Sequence, residues 1–263
     1  MVHRRHRRSR RGNSGKWKKA AGITACVAAL VFLFLATLAP STFRLLLGMV
    51  GISKQADEPA SQCKGAKGID VSHHQGDIDW VAVSHHSGVE FAYVKATEGV
   101  KHTDRHYRRN ISGARAVGIK VGAYHFFTSR SSATEQLRHF ADVAKTQDID
   151  LIPVVDVEES GMGRWNRRQI ADSLAVFCRL AKEHYGKAPM IYSSAKFYTD
   201  NLSPRFDNHY LFIAAYGSVE PSVPGCNVNI WQYSENGSVK GIGGGVDMDI
   251  LVGGTRLKQL YLR

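Results

Sequence analysis

From Gly68 to Leu251 short β-branched or aromatic runs alternate with amphipathic stretches, and no other feature limits the available folds as much. Gly68-Ile69-Asp70-Val71 reads as a first strand, Phe91 to Ala96 as a second and Lys120 to Phe126 as a third. Between them, Asp79 caps a short helix ending near Gly88, and Tyr107, Ile111 and Ala114 share one helical face closed by Gly118. Ser132 and Glu135 have capping-box spacing, opening a helix that buries Leu137, Phe140, Ala141 and Ala144. Asn166 and Gln169 repeat the signal before Ile170, Leu174, Phe177 and Ala181. Later strand candidates are 189–192, 211–215, 229–233 and a last short one at 246–250. Strands alternating with helices predict a parallel α/β arrangement. Eight strands within about 190 residues are few for a full barrel, usually about 250 residues, so an irregular TIM-like (β/α) barrel is expected.

The fourth strand lies in Leu151-Ile152-Pro153-Val154-Val155-Asp156-Val157-Glu158-Glu159-Ser160, an apolar run that ends in acid. Asp156 and Glu158 are two residues apart and share a strand face, with Cβ atoms roughly 6–7 Å apart. That is near the separation at which two carboxyls work on one glycosidic bond. The bland alternative is that the two acids simply begin a loop. Other polar and aromatic residues also fall at strand ends: Asp70, Lys95 and Glu98, Tyr124 and His125, Tyr192, Tyr216, Gln232 and Asp247. In barrel folds those ends converge on one face, where the site lies.

Charge separates the chain into two parts. Of 35 Lys and Arg, eleven lie in residues 1–56 with no Asp or Glu, leaving 24 basic against 23 acidic residues beyond, a net of +1. The overall +12 therefore belongs to the tail, and no nucleic-acid partner is expected. Nine Arg/Lys between His3 and Lys19 precede twenty uncharged residues, Ala20–Ala39, long enough to span a ~30 Å hydrocarbon core. Thr37-Leu38-Ala39 resembles a signal-peptidase site, but Pro40 directly after it disfavours cleavage, and the apolar run exceeds the usual ~7–15 residues. The expected organisation is a basic cytoplasmic tail (1–19), a transmembrane signal anchor (20–39), a juxtamembrane linker (40–67) and an outward-facing domain (68–263). Four cysteines do not make a disulfide scaffold: Cys26 lies in the span and Cys178 in a helical apolar pattern. A Cys63–Cys226 bridge suits an oxidising compartment, although the sequence does not demand it. Neither CxxC nor HExxH occurs, and adjacent histidines such as His73-His74 and His85-His86 point apart, so no metal or cofactor is expected.

Seven blocks together resemble glycoside hydrolase family 25, the muramidases often called Chalaropsis-type lysozymes. They are Gly68-Ile69-Asp70-Val71-Ser72-His73, Tyr93 to Gly99, Gly122-Ala123-Tyr124-His125-Phe126, Asp156-Val157-Glu158, Ile191-Tyr192-Ser193, Trp231-Gln232-Tyr233 and Val246-Asp247. One departure is His74, where the family commonly has Trp. The resemblance implies hydrolysis of the β-1,4 bond between N-acetylmuramic acid and N-acetylglucosamine in peptidoglycan. It also implies Glu158 as general acid. Asp156 would stabilise the oxocarbenium-like centre or orient the substrate's N-acetyl oxygen. Asp70 and Asp247 would be supporting carboxylates; Tyr124, Tyr192 and Trp231 apolar walls; Glu98 and Gln232 substrate contacts. Taken singly, Tyr192 and Trp231 could equally be core, Glu98 could pair with Lys95, and Asp247 could cap a turn. Two other readings compete: a non-catalytic glycan-binding domain on the same fold, against which the full set of carboxylates argues, and a hydrolase of another glycan such as chitin. The chitinase pattern needs Asp where this chain has Leu151 and Val154.

Overall fold

The computed structural model describes residues 64–263. The basic tail, the 20–39 run and most of the linker lie outside the described residues, as do Cys26 and Cys63. Among the described residues no helix is long and apolar enough to cross a membrane.

The strands are β1 (Lys67–Val71), β2 (Val89–Glu98), β3 (His102–Thr103), β4 (Lys120–Phe126), β5 (Val154–Asp156), β6 (Met190–Ser194), β7 (Leu211–Ala214), β8 (Val228–Gly237) and β9 (Val246–Leu251). The helices are α1 (Trp80–His86), α2 (Tyr107–Ala116), α3 (Ala133–Val143), α4 (Glu159–Met162), α5 (Arg167–Tyr185) and α6 (Ala195–Asn201). Hydrogen bonding runs β1-β9-β8-β7-β6-β5-β4-β2, and a β1–β2 pairing closes the sheet into an eight-stranded barrel with β3 attached outside. Pairings from β1–β2 round to β7–β8 are parallel. The all-parallel expectation fails at the last strand, because β9 runs antiparallel to both β8 and β1. Only residues 238–245 connect β8 to β9, fewer than the dozen or so a parallel crossover requires.

Local signals place the helices as the sequence reads. The Asp79 side chain accepts from Ala82 N at 3.0 Å. Ser132/Glu135 and Asn166/Gln169 form complete capping boxes, and α5 ends on Gly186 in the left-handed region at φ 82°. The acid-ended strand is shorter than its apolar run. The ladder covers only Val154–Asp156, while Leu151 makes an isolated bridge to Tyr261. Val157 N donates to Tyr192 O at 3.0 Å and Glu158 keeps an extended backbone, so the two-residue periodicity carries through to Glu158.

Aromatic rings fill the barrel interior. Phe91, Tyr93, Phe212 and Tyr192 succeed one another at centroid distances of 6.2, 5.9 and 5.1 Å. Two glycines admit them: a Cβ on Gly68 would lie 2.2 Å from the Phe91 ring, and one on Gly122 would lie 2.1 Å from Tyr93. The ring column supports the floor of the cleft above it.

Candidate active site

At the carboxyl ends of the strands a cleft of about 630 Å³ opens, and Asp70, Asp156, Glu158, Tyr124, Tyr192, Gln232 and Asp247 all line it. Strand periodicity explains the convergence. Inward positions recur every second residue, so the aromatic layer of Phe91 and Tyr93 is followed on β2 by Lys95, and Val154 on β5 by Asp156 and then Glu158.

Asp156 is 8% exposed, and its Oδ1 has no hydrogen-bond partner among the described residues. Burial pushes its carboxyl well above the usual range, and the charges of Glu158 and Asp70 add to the effect. Glu158 lies nearer the mouth, half-buried, and accepts from Ser160 Oγ at 3.2 Å. Burial raises it as well, opposed by the Ser160 bond and by the charge of Lys95. Asp70 and Asp247 are direct cross-strand partners in the β1–β9 ladder. Burial, followed by the Asp247 charge, lifts Asp70 well above its ordinary value, and burial lifts Asp247 to about 6. Like charges this close share a proton instead of both ionising.

Gln232 organises this group. Its Nε2 donates to Asp70 Oδ2 at 2.7 Å, while its Oε1 accepts from Tyr192 OH at 3.0 Å and Tyr216 OH at 3.2 Å. Burial keeps the Tyr124 and Tyr192 hydroxyls protonated at any working pH. Tyr216 is 56% exposed at the mouth, an open aromatic face of the kind sugar rings stack on.

Lys95 is the cation that acts on both Asp156 and Glu158. A register shift in β2 between Lys95 and Thr97 marks a bulge there, a common device for aiming a side chain at a site. The ammonium lies 3.0 Å from Glu98 Oε2 and 5.0 Å from the Phe126 ring centroid.

Some expectations do not hold. Trp231 is fully buried, with Nε1 donating to Ala215 O at 2.7 Å and the ring edge-on to Tyr233. It is not a wall of the cleft: neighbouring strand residues face opposite sides, and Gln232 takes the inward position. His125 is likewise on the outer face, stacked 5.2 Å from Phe177 and bonded to Thr97 and Gln136; burial depresses it to about 3. Glu98 lies outside the cleft, paired with Lys95, so that simpler reading is the one realised. His73 and His74 do not point apart, because a 3-10 turn brings their rings to 4.0 Å. His73, His102 and Asp104 offer ligand atoms within 4.8 Å of one another. Asp104, however, already accepts from His73 N, His73 Nδ1 and His106 N, the bonding of a loop staple.

Two acids escaped the sequence reading. Glu235 lines the cleft from a strand extension that hydropathy does not mark. Asp249 is fully buried one pleat repeat below Asp247, with neither oxygen partnered among the described residues. Its two-residue spacing from Asp247 was the available signal.

The comparisons agree with this geometry. The profile of glycosyl hydrolases family 25 matches residues 69–242. A protein called autolytic lysozyme from Clostridium acetobutylicum is 36% identical over 200 residues, covering 72% of this chain and 58% of that one. The uncharacterized protein YegX of Escherichia coli K12 is 35% identical over 199 residues, 74% of this chain and 72% of its own. The crystal structure of a bacterial lysozyme from Streptomyces coelicolor superposes with a TM-score of 0.67 at 30% identity, covering 75% of this chain and 95% of that one. A barrel with a carboxylate-lined cleft at its strand ends, matched this widely, defines a glycosidase of the lysozyme class. The chain belongs to glycosyl hydrolase family 25.

Proposed function

We propose that the protein is a membrane-anchored N-acetylmuramidase that cleaves the β-1,4 bond between N-acetylmuramic acid and N-acetylglucosamine in peptidoglycan. The observation that carries this reading is the placement of Asp156 and Glu158 on one strand face in the cleft, both with carboxyls raised by burial. Lysozymes and muramidases among the relatives support the substrate.

With Lys95 as counter-charge, burial and mutual repulsion favour one proton shared between the Asp156 and Glu158 carboxyls. Glu158, nearer the mouth, hands that proton to the leaving glycosidic oxygen as the C–O bond breaks. Asp156, then ionised, faces the developing positive charge or orients the substrate's N-acetyl oxygen as nucleophile. The Asp70–Asp247 pair, held at Asp70 by Gln232, fixes another side of the cleft. Tyr124, Tyr192 and Tyr216 supply the apolar faces. Water completes the reaction by adding to the anomeric carbon, its proton returning to Glu158.

The anchor is supported by the uncharged run 20–39 and the basic block before it; under the positive-inside rule such a block stays cytoplasmic, with the catalytic domain on the other side of the membrane. Digestion of purified cell walls followed by borohydride reduction tests the chemistry: muramitol ends are expected, whereas glucosaminitol ends would refute muramidase specificity. Recovery of the full chain in the soluble fraction would refute the anchor.

A further inference from the structure

Beside the acidic cleft lies a second groove of about 690 Å³, formed by the loops that follow β2 and β4. Its character is opposite. Lys101, His102 and Arg130 line it, and among the described residues neither Lys101 nor Arg130 has an ion-pair partner. Its single carboxylate, Glu98, is already neutralised by Lys95. That ion pair joins the two sites, since Lys95 acts on Asp156 and Glu158 while Glu98 lines the groove.

The groove walls are pinned from behind. Buried Gln136 accepts from Thr128 N at 2.9 Å and donates to Thr128 O at 2.7 Å and Ser131 O at 3.0 Å. His139 bonds Gly99 O and Thr103 Oγ1, both at 3.0 Å. Within this frame Ser131 Oγ is shielded from solvent and has no hydrogen-bond partner among the described residues. Fixed loops that carry two unpaired cations describe a site suited to an anionic ligand.

We propose that this groove binds the peptide stem that muramic acid carries on its lactyl group, through the stem's carboxylates. The inference rests on the muramidase reading. The cleft itself, with Asp70, Asp156, Glu158, Glu235 and Asp247, repels carboxylates, so an anionic stem on a bound muramic acid must leave sideways. The cationic groove adjoins the catalytic pair at the Lys95–Glu98 bridge. Arg130 and Lys101 meet the carboxylates there.

The test compares glycan strands bearing stems with strands stripped by an amidase, using the full chain and the Lys101→Ala/Arg130→Ala double variant. Two exposed charge contacts, each at the upper end of what such pairs contribute, predict a kcat/KM up to about tenfold higher on stem-bearing strands for the wild type. The double variant should narrow that preference to about twofold and leave the rate on stripped strands unchanged. High salt should erode the wild-type preference in the same way. Equal wild-type rates on both substrates, or a double variant that slows both equally, would overturn the proposal while leaving the muramidase reading intact. Cleavage of neither substrate by the wild type would overturn both.

Discussion

Trp231 and Gln232 are adjacent, yet their substitution should fail in different ways. Trp231 is fully buried outside the barrel and bonded to Ala215 O; Gln232 points into the cleft and holds Asp70, Tyr192 and Tyr216. Trp231→Ala removes a buried indole and its hydrogen bond, at a cost of about 3–5 kcal/mol. For a unit of this size each kcal/mol lowers Tm by about 2–4 °C, so a fall of roughly 6–20 °C is expected. Below that temperature KM should be unchanged. Gln232→Ala removes three cleft bonds, one of them to a carboxylate and worth about 1.5–3 kcal/mol. The cleft is open to water, which re-satisfies the exposed groups, so Tm should move by only a few degrees. If the Asp70 contact matters in the transition state, kcat/KM should fall about 10–100-fold. Thermal unfolding monitored by circular dichroism, paired with release of reducing ends from cell walls, reads both quantities. A Trp231→Ala protein with unchanged Tm and a raised KM would refute the reasoning and restore Trp231 as a glycan contact.

Three further predictions address the acid cluster, the core and the stereochemistry. Asp247 has an unfolded value near 3.8 and a folded value of about 6, so the folded state binds its proton more tightly, and its contribution to stability is lost as pH rises from about 4 to 6. Asp247→Asn should therefore gain stability relative to wild type across that window, by about 3 kcal/mol at pH 7, and a difference independent of pH in urea titrations would contradict this. Gly68→Ala drives a methyl into the Phe91 ring and should cost about 1–3 kcal/mol; an unchanged urea midpoint would show that the ring moves freely. The short Asp156/Glu158 spacing predicts retention of anomeric configuration, and proton NMR showing the inverted anomer first would exclude it.

The fold and most of the cleft are legible in the sequence where a local rule operates. Asp79, Ser132/Glu135 and Asn166/Gln169 announce helix starts because the cap chemistry lies within a few residues. Asp156 and Glu158 announce a shared face because strand periodicity is short-range. What escapes depends on contacts far apart in sequence. Whether Trp231 or Gln232 faces inward is set by the β8–β9 and β7–β8 registers, and His125 is buried only because Phe177 of α5 packs over it. The antiparallel β9 was readable in retrospect from its short connection to β8. Nothing local distinguishes Glu235 from other surface acids, and the burial of Asp249 depends on the β1–β9 and β8–β9 pairings.

The central claim is that Glu158 is the proton donor of a muramidase, and the turbidity of purified cell walls incubated with wild type and Glu158→Gln tests it most directly. A positioned general acid is worth about 10²–10⁴-fold, so the variant should clear walls at least a hundredfold more slowly with its Tm preserved. Equal clearing rates would contradict the account.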